Sequence, residues 1–193
     1  MPIKTWRLLT AGTHYQPARV LGPIEALGHL RDAGCPAHLT VAGALRWPEA
    51  AAEVQAAIER LDLREAVTLR PAFTQAEAIV LYHEAHVLLH AKYHDPCPTV
   101  VIEALACGLP VIGSRSGGMP ELVGDDGGEL IDVPLSWDQP AAPEPEQIAN
   151  AVMRTIPNWP ARSRAARARA ERLFDAGSWV AEHRHIFESL ITK

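Results

Sequence analysis

The sequence is short of cysteine and of long apolar runs. Its three cysteines, Cys35, Cys97 and Cys107, are an odd number, and two of them lie in apolar, helix-like segments. This usage argues against a disulfide framework and predicts a reducing, cytoplasmic environment. No apolar run reaches transmembrane length and no signal-peptide pattern opens the chain. We therefore expect a soluble protein, with contact at a membrane surface left open.

Positive charge is also scarce. Lysine and arginine together number 18 against 23 acidic residues, which gives a formal net charge of −5. Binding along a nucleic-acid backbone needs a basic face. The composition therefore argues against nucleic acid as the main partner.

The apolar content is sufficient for one full core, since 48% of the 193 residues are hydrophobic. We expect a single domain. Short apolar runs alternate with amphipathic segments, which is typical of β-α-β units with right-handed crossovers. The predicted strands are 6–12, 38–44, 66–70, 86–90 and 110–114, and the predicted helices are 22–34, 48–63, 74–85 and 99–108. The pattern predicts an α/β fold, a Rossmann-like parallel sheet with helices on both faces.

This predicted core, residues 6–133, is followed by two further segments. Residues 134–147 are rich in proline and lack apolar periodicity, which predicts a surface loop. Helices are predicted to fill residues 148–193. The side chains predicted to anchor them on the sheet are Trp159, Phe174, Trp179 and Phe187.

One edge of the predicted sheet collects the loops that follow the strands, and ligands of open parallel sheets bind at that edge. The loops are 10–22, 42–48, 70–74, 90–99 and 113–120. Two predicted helices begin there, at about Pro98–Thr99 and at about Met119. Free amides and the positive end of a helix dipole favour an anion, so the sequence predicts a phosphate ligand.

Two carboxylates stand at an informative spacing in DPCPTVVIEALACGLPVIGSRSGGMPELV, residues 95–123. Asp95 precedes the predicted helix start, and Glu103 lies about one turn into the helix beside apolar Val100 and Ala104. A buried carboxylate needs a partner. Vicinal sugar hydroxyls are suitable, because one carboxylate can accept from both. From spacing alone, Glu103 is equally well a solvated helix residue or half of a local ion pair.

The same stretch carries a family resemblance. Residues 6–133 resemble the C-terminal, donor-binding domain of retaining GT-B glycosyltransferases of the GT4 kind, the glycosyl transferases group 1. Asp95 to Glu103 corresponds to the E-x7-E signature, Glu103–Val111 to E-A-x-A-C-G-x-P-V, and Gly117–Glu121 to G-G-x-x-E. The resemblance implies transfer of a glycosyl unit from a nucleoside-diphosphate sugar to an acceptor hydroxyl, with retention and with no obligatory metal or other cofactor.

Site residues follow from this resemblance. It implies that Glu103 holds the ribose hydroxyls, that Asp95 contacts the transferred sugar, that the amides after Asp95 bind the diphosphate, and that the loop before the third predicted helix reads the base edge. The implied donor-binding residues are Gly12, Phe73, Thr74, Lys92, Cys97, Thr99, Glu103, Gly117, Gly118 and Glu121. As alternatives to ligand contacts, Gly117 and Gly118 form only a tight turn, and Glu121 serves only as a helix cap. The Cys97 side chain is expected to pack rather than react.

Three departures from the family pattern affect the predicted chemistry. The first acid is aspartate, which reaches one methylene less than glutamate. Pro96 and Pro98 replace a glycine-containing loop and have no N–H to donate. The family's first loop supplies an arginine and a lysine to the leaving diphosphate, whereas Thr13 stands here and Arg19 is the one cation of that loop. Arg19 is therefore predicted to be catalytic with Asp95, with a surface role as its alternative, and Lys92 is a second candidate cation.

Four histidines are spaced in a way that suggests a metal cluster. They are His83, His86, His90 and His94. His86 and His90 bracket a predicted strand and would be ~13 Å apart, too far to share one ion. No metal site is expected, and His94 is either a contact to the donor sugar or a simple loop residue.

No counterpart of the family's N-terminal, acceptor-binding half is found in the sequence. We expect a fragment of a longer enzyme rather than a free-standing half that needs a partner chain, with weak donor binding and little transfer by itself. The acceptor, a glycan, lipid or small molecule, is not readable, and the basic helix 162–172 is solvated or contacts a membrane or acceptor. A non-catalytic nucleotide-binding module and a GT-B-fold isomerase or phosphorylase are the alternatives. A pyridoxal phosphorylase needs a Schiff-base lysine, and the chain has only Lys4, Lys92 and Lys193.

Overall fold

The computed structural model describes residues 3–139 and 141–191 as one six-stranded parallel sheet flanked by helices. The strands are β1 (Trp6–Ala11), β2 (Ala37–Ala42), β3 (Val67–Arg70), β4 (Val87–His90), β5 (Val111–Ser114) and β6 (Gly128–Ile131). The helices are α1 (Ala18–Asp32), α2 (Ala50–Arg60), α3 (Gln75–Glu84), α4 (Thr99–Ala106), α5 (Met119–Val123), α6 (Pro145–Thr155), α7 (Trp159–Leu173) and α8 (Ala176–Ile191). The strand order is β3-β2-β1-β4-β5-β6. The predicted α/β fold is thereby confirmed.

Alternation along each strand divides the core between the two faces of the sheet. Leu8 and Val41 belong to a cluster with α1, α2 and α6, whereas Leu9 and Ala42 belong to a second cluster with α3, α4, α5 and α7. Successive strand side chains point to opposite faces, so a strand covered on both faces is apolar throughout. This double coverage explains why the strands read as short continuous apolar runs.

One helix boundary and one whole strand differ from the prediction in ways that matter. Helix α1 begins at Ala18 rather than at residue 22 and contains Pro23 within its second turn. Arg19 therefore belongs to a helix and not to the preceding loop. Strand β6 was not predicted at all, since its four residues, GELI, include a glycine and a charge. A Cβ at Gly128 would lie 1.9 Å from the Val111 carbonyl oxygen, so glycine is needed where β6 meets β5.

The predicted capping box of α3 is confirmed. The Thr74 hydroxyl oxygen accepts from the Glu77 N–H at 3.4 Å, and Glu77 Oε2 accepts from the Thr74 N–H at 2.7 Å. These bonds satisfy two amides that a helix start leaves without partners. The predicted proline-rich loop, of which residue 140 lies outside the described residues, ends earlier than predicted, at Glu144, which forms a capping box with Gln147.

The C-terminal helices are confirmed as far as Ile191, and residues 192 and 193 lie outside the described residues. Only part of the predicted anchoring is confirmed. Trp159 packs edge-on against Trp6 and His86, and its Nε1 donates to the His86 carbonyl oxygen at 2.6 Å. Phe174 is partly buried against the second core cluster. The prediction for Trp179 and Phe187 is wrong, because each is 60% exposed and α8 has no buried residue among those described.

No helix in the described ranges is long and apolar enough to cross a membrane.

The arginines of α7 are not simply solvated, contrary to the prediction. Arg169 donates to the carbonyl oxygens of Leu122 and Glu121, each at 2.7 Å, and pairs with Asp126 at 2.6 Å. Arg167 donates to the carbonyl oxygen of Ala106. Cations at helix C-termini satisfy free carbonyls and complement the dipole. The basic segment therefore fastens α7 onto the ends of α4 and α5.

The burial of His14 and His86 makes the stability of the fold depend on pH. Burial lowers the pKa of His14 to about 4, helped by the charge of Arg19, and burial lowers the pKa of His86 to about 4, helped by Arg7. Both values lie below the ordinary 6.5, so as pH falls through 6.5 the unfolded chain gains protons that the folded chain cannot bind. Stability is fully present above that pH and falls toward pH 4.

Urea unfolding checks this pH dependence. Between pH 7 and pH 5 we expect the free energy of unfolding to fall by about 2 kcal/mol per histidine. His86→Gln, which removes one titrating group, should flatten the slope even though its own stability is lower. An unfolding free energy that is constant from pH 7 to pH 5 would contradict the burial of neutral imidazoles.

Candidate functional site

The candidate site lies at the carboxyl edge of the sheet, where β1 stands between β2 and β4. The chain continues from β1 to β2 on one side, whereas β4 pairs with β1 on the other, so the adjoining loops diverge and leave a crevice. Loops 12–17, 91–98 and 115–118 border it. These loops lie within three of the five that the sequence predicted for this edge.

Gly12 turns the first loop at the end of β1, with φ of +113°. Its N–H donates to the Ala42 carbonyl oxygen at 3.1 Å. A Cβ on Gly43 would lie 1.9 Å from the Gly12 carbonyl oxygen, so the loops after β1 and β2 touch through their backbones. Gly12 has a structural reason to be glycine, and its contact with a donor stays a prediction.

Arg19 lies in the first turn of α1 with only 8% of its surface exposed. Its Nη1 donates to the Thr13 carbonyl oxygen at 2.8 Å. Burial lowers the pKa of Arg19, and the charge of Asp95 opposes that shift. A guanidinium keeps its proton in proteins, so a charge stands beside the crevice. The alternative that Arg19 is a surface residue is wrong.

Asp95 is buried at the start of the loop that leads into α4. Its Oδ2 is 3.1 Å from His90 Nε2 and 3.0 Å from Lys92 Nζ. Burial alone raises the pKa of Asp95, but hydrogen bonds from His90 and Lys92, together with their charges, hold it at about 2. Asp95 is therefore ionised at neutral pH. Lys92, predicted to contact phosphate, is already paired with this carboxylate.

Glu103 is half-buried on α4 and has a partner that the sequence did not reveal. The Tyr82 hydroxyl, on α3, donates to Glu103 Oε2 at 2.7 Å. Burial and the Glu103 carboxylate together raise the pKa of Tyr82, which keeps this hydroxyl a donor. Among residues 3–139 and 141–191, no donor lies on Glu103 Oε1 or on Asp95 Oδ1. Each carboxylate thus has one oxygen held by the protein and one oxygen available.

Gly117 and Gly118 bring the loop after β5 against the Asp95 loop. Gly117 has φ of +60°, and a Cβ on Gly118 would lie 2.0 Å from the Pro96 carbonyl oxygen. The Gly118 N–H donates to the Asp95 carbonyl oxygen at 2.9 Å. The pair therefore holds the backbone of Asp95 in place. A ligand contact by these glycines stays a prediction.

Helix α4 opens toward the crevice with its first amides unused. It begins at Thr99 with Pro98 as N-cap and has no side-chain cap. Within the described residues, the amides of Cys97 and Thr99 have no acceptor. They are therefore available as donors, as predicted. The prediction that the Cys97 side chain packs is wrong, because that residue is exposed.

The other predicted donor contacts are less well placed. The N–H and the hydroxyl of Thr74 both bond Glu77 in the capping box, which leaves the backbone of half-buried Phe73 for a base edge. Glu121 is exposed in the first turn of α5, and its carbonyl oxygen accepts from Arg169. Base recognition at Phe73 and ligand binding at Glu121 stay predictions.

The four histidines do not come together. His86 packs with Trp159 at the opposite edge of the sheet, while His90 bonds Asp95. His94 has φ of +49°, and its ring stacks on exposed Trp137 with centroids 4.0 Å apart and planes 13° apart. The described residues contain no group of three or more histidine, cysteine or acidic side chains that could hold a metal ion.

Comparison with known proteins identifies the family. The model of the glycosyl transferases group 1 matches residues 6–172. The chain belongs to this family. It is 35% identical over 105 residues to a D-inositol 3-phosphate glycosyltransferase of Segniliparus rotundus, a match that covers 54% of this chain and 22% of that protein. It is 32% identical over 151 residues to a GDP-mannose-dependent alpha-(1-6)-phosphatidylinositol dimannoside mannosyltransferase of Mycobacterium tuberculosis, covering 77% and 35%.

Solved structures of glycosyltransferases share the fold, which is that of one half of a GT-B enzyme. Sucrose-phosphate synthase of Thermosynechococcus elongatus superposes with a TM-score of 0.74 at 24% identity, covering 100% of this chain and 47% of that one. Anabaena Alr3699/HepE, in complex with UDP and glucose, superposes with a TM-score of 0.76 at 22% identity, covering 98% and 49%. The chain thus spans about half the length of these structures.

The largest difference between the predicted and observed sites of this group 1 glycosyltransferase chain concerns partners of the two acids. His90 and Tyr82 were not predicted to bond them. His90 stands five residues before Asp95 at the end of a strand, and an alternating sequence pattern does not show which loop residue folds back onto it. Tyr82 and Glu103 are 21 residues apart on different helices. Only the placement of α3 and α4 on the same face of the sheet, in one core cluster, brings them together.

Proposed function

We propose that this chain is the donor-binding domain of a retaining glycosyltransferase, which binds a nucleoside-diphosphate sugar and serves transfer to an acceptor hydroxyl. The observation that carries the proposal is the pair of carboxylates at the two ends of one loop-helix unit. Asp95 and Glu103 each have one carboxylate oxygen that accepts from the protein and one that has no donor among the described residues. Between them lie the free amides of Cys97 and Thr99. This arrangement suits a ligand with hydroxyls at both ends and phosphates in the middle.

The proposed roles follow the chemistry of each group. Glu103 accepts from the ribose hydroxyls and Asp95 from a hydroxyl of the transferred sugar. In the reaction, the bond between the anomeric carbon and the diphosphate oxygen breaks, and negative charge grows on the leaving diphosphate. Preorganised positive charge and amide dipoles stabilise that charge in a site shielded from water. Arg19, Lys92 and the start of α4 supply them, so we expect no metal requirement.

The complete enzyme is proposed to contain a further domain. The chain spans about half the length of its structural neighbours, and GT-B enzymes bind the acceptor in their other half. One neighbour binds UDP and glucose, and one relative is named as GDP-mannose-dependent. Both names support a nucleotide-sugar donor here. The three cysteines are unpaired, which supports a reducing, cytoplasmic location.

Ligand-detected NMR with the purified chain tests this function. UDP, GDP and ADP are titrated beside their sugar conjugates, and the free nucleosides serve as controls. We expect one base to be preferred, a conjugate that binds differently from its bare diphosphate, and no binding of nucleosides. Equal binding of conjugates and bare diphosphates would instead indicate a nucleotide-binding module, and absence of all binding would contradict the proposal.

A further inference from the structure

The carboxylate of Asp95 is held by two donors of the protein. Two donors, His90 Nε2 and Lys92 Nζ, meet on the same oxygen, Oδ2. One carboxylate oxygen has two lone pairs, so these two bonds fill Oδ2. Only Oδ1 remains for a hydroxyl of the ligand. The two groups that bond Oδ2 therefore determine the direction in which Oδ1 points.

His90 is the rigid member of this pair. It is 2% exposed at the end of β4, whereas one third of the Lys92 side chain is exposed. Strand β5 fits tightly beside it, since a Cβ on the facing residue Gly113 would lie 2.6 Å from the His90 carbonyl oxygen. A buried ring on a central strand has few alternative rotamers. A long, partly exposed lysine side chain keeps many, so Lys92 adds charge more than direction.

The tautomer of His90 follows from its partner. An ionised carboxylate only accepts, so Nε2 must carry a proton and donate it to Oδ2. Burial lowers the pKa of His90, and the charges of Arg19 and Lys92 act in the same direction, while Asp95 opposes them. A neutral imidazole protonated on Nε2 is consistent with this environment.

We propose that His90 is a positioning residue, which fixes Oδ2 of Asp95 and thereby aims Oδ1 at the sugar of the donor. The inference rests on the proposed function of the site. It adds a residue that does not touch the donor and acts only through Asp95. It also explains how an aspartate, one methylene shorter than the usual glutamate, is kept in a fixed position.

Three variants of the chain test the proposal in the same binding assay. His90→Phe removes the N–H donor and keeps a ring, and His90→Gln keeps an N–H at a similar reach. His86→Phe is the matched control, a buried histidine at the opposite edge of the sheet. We expect His90→Phe to bind the sugar conjugate about tenfold more weakly and the bare diphosphate within about twofold of wild type. His90→Gln should restore most of the lost affinity, and His86→Phe should leave both affinities unchanged.

NMR of the wild-type imidazole nitrogens gives a second test that does not depend on how the variants fold. We expect His90 of the wild-type chain to show a proton on Nε2 and an unprotonated Nδ1. A proton on Nδ1, or a His90→Phe variant that binds the conjugate as tightly as wild type, would overturn the positioning role while the proposed function stands. A wild-type chain that binds no nucleotide sugar would overturn both.

Discussion

Glu103→Ala is expected to weaken binding of the nucleoside diphosphate and of its sugar conjugate alike, by ~1.5 to 3 kcal/mol, or about 10- to 150-fold. Both ligands contain the ribose, and Glu103 is the carboxylate proposed to hold it. Its Oε2 accepts from Tyr82 at 2.7 Å, which fixes the side chain and leaves Oε1 for the ligand. Isothermal titration of both ligands gives the two affinities.

The Tyr82 contact determines the controls for Glu103. Loss of the carboxylate leaves a buried hydroxyl without its acceptor, which costs about 1 to 3 kcal/mol of stability. The double variant Tyr82→Phe with Glu103→Ala removes that unpaired hydroxyl. Glu59→Ala, at an exposed position of α2, controls for a change of charge. If the single variant melts early but binds nucleotide normally below its melting temperature, Glu103 has a structural role only.

Asp95→Ala is expected to weaken binding of the sugar conjugate but not of the bare diphosphate, whereas Glu103→Ala weakens both. The sugar conjugate should bind ~1.5 to 3 kcal/mol more weakly, because the variant loses a charged acceptor for a sugar hydroxyl. The bare diphosphate should bind as well as before or more tightly, because removal of the carboxylate leaves Lys92 and Arg19 uncompensated near the phosphates.

Additivity strengthens the Asp95 test. The two carboxylates are proposed to contact opposite ends of the ligand, so the double variant of Asp95 and Glu103 should lose the sum of the two effects on the conjugate. Asp95→Asn, which keeps the shape of the side chain, controls for loop collapse. An Asp95→Ala variant that weakens both ligands equally, or weakens neither, would make Asp95 a loop residue and remove the local support for sugar transfer.

The sequence was sufficient for the layered fold because each buried strand is a short apolar run between amphipathic helices. Prediction from the sequence failed where the local composition does not indicate how a segment packs in the folded chain. GELI in β6 contains a glycine and a glutamate and is too polar to show as a strand, yet β5 supplies its pairing partner. In α8, Trp179 and Phe187 read as anchors although the described structure leaves them exposed.

The candidate site shows the same division. The sequence signature predicted Asp95 and Glu103 from their spacing, and it predicted that Gly117 and Gly118 contact the ligand or form only a tight turn. The partners His90 and Tyr82 depend on how β4, α3 and α4 pack, which no local pattern reports. Arg19 was predicted to be catalytic because it is the one cation of its segment. The sequence did not show that α1 begins early enough to include Arg19, nor that the side chain is buried and feels the charge of Asp95.

A nucleotide sugar is proposed to bind at the carboxyl edge of this sheet. The competing location is a cavity of about 370 Å³ near the amino ends of β1 and β4, lined by residues that include Arg7, His83 and Glu84. Amide NMR of the isotope-labelled chain, titrated with the preferred sugar conjugate, distinguishes the two even when binding is weak. We expect shifts at Gly12, at residues 95–103 and at 115–118, with the amides of Arg7 and Glu84 unchanged. Shifts confined to residues of the 370 Å³ cavity, or no shifts at all, would contradict binding at the carboxyl edge.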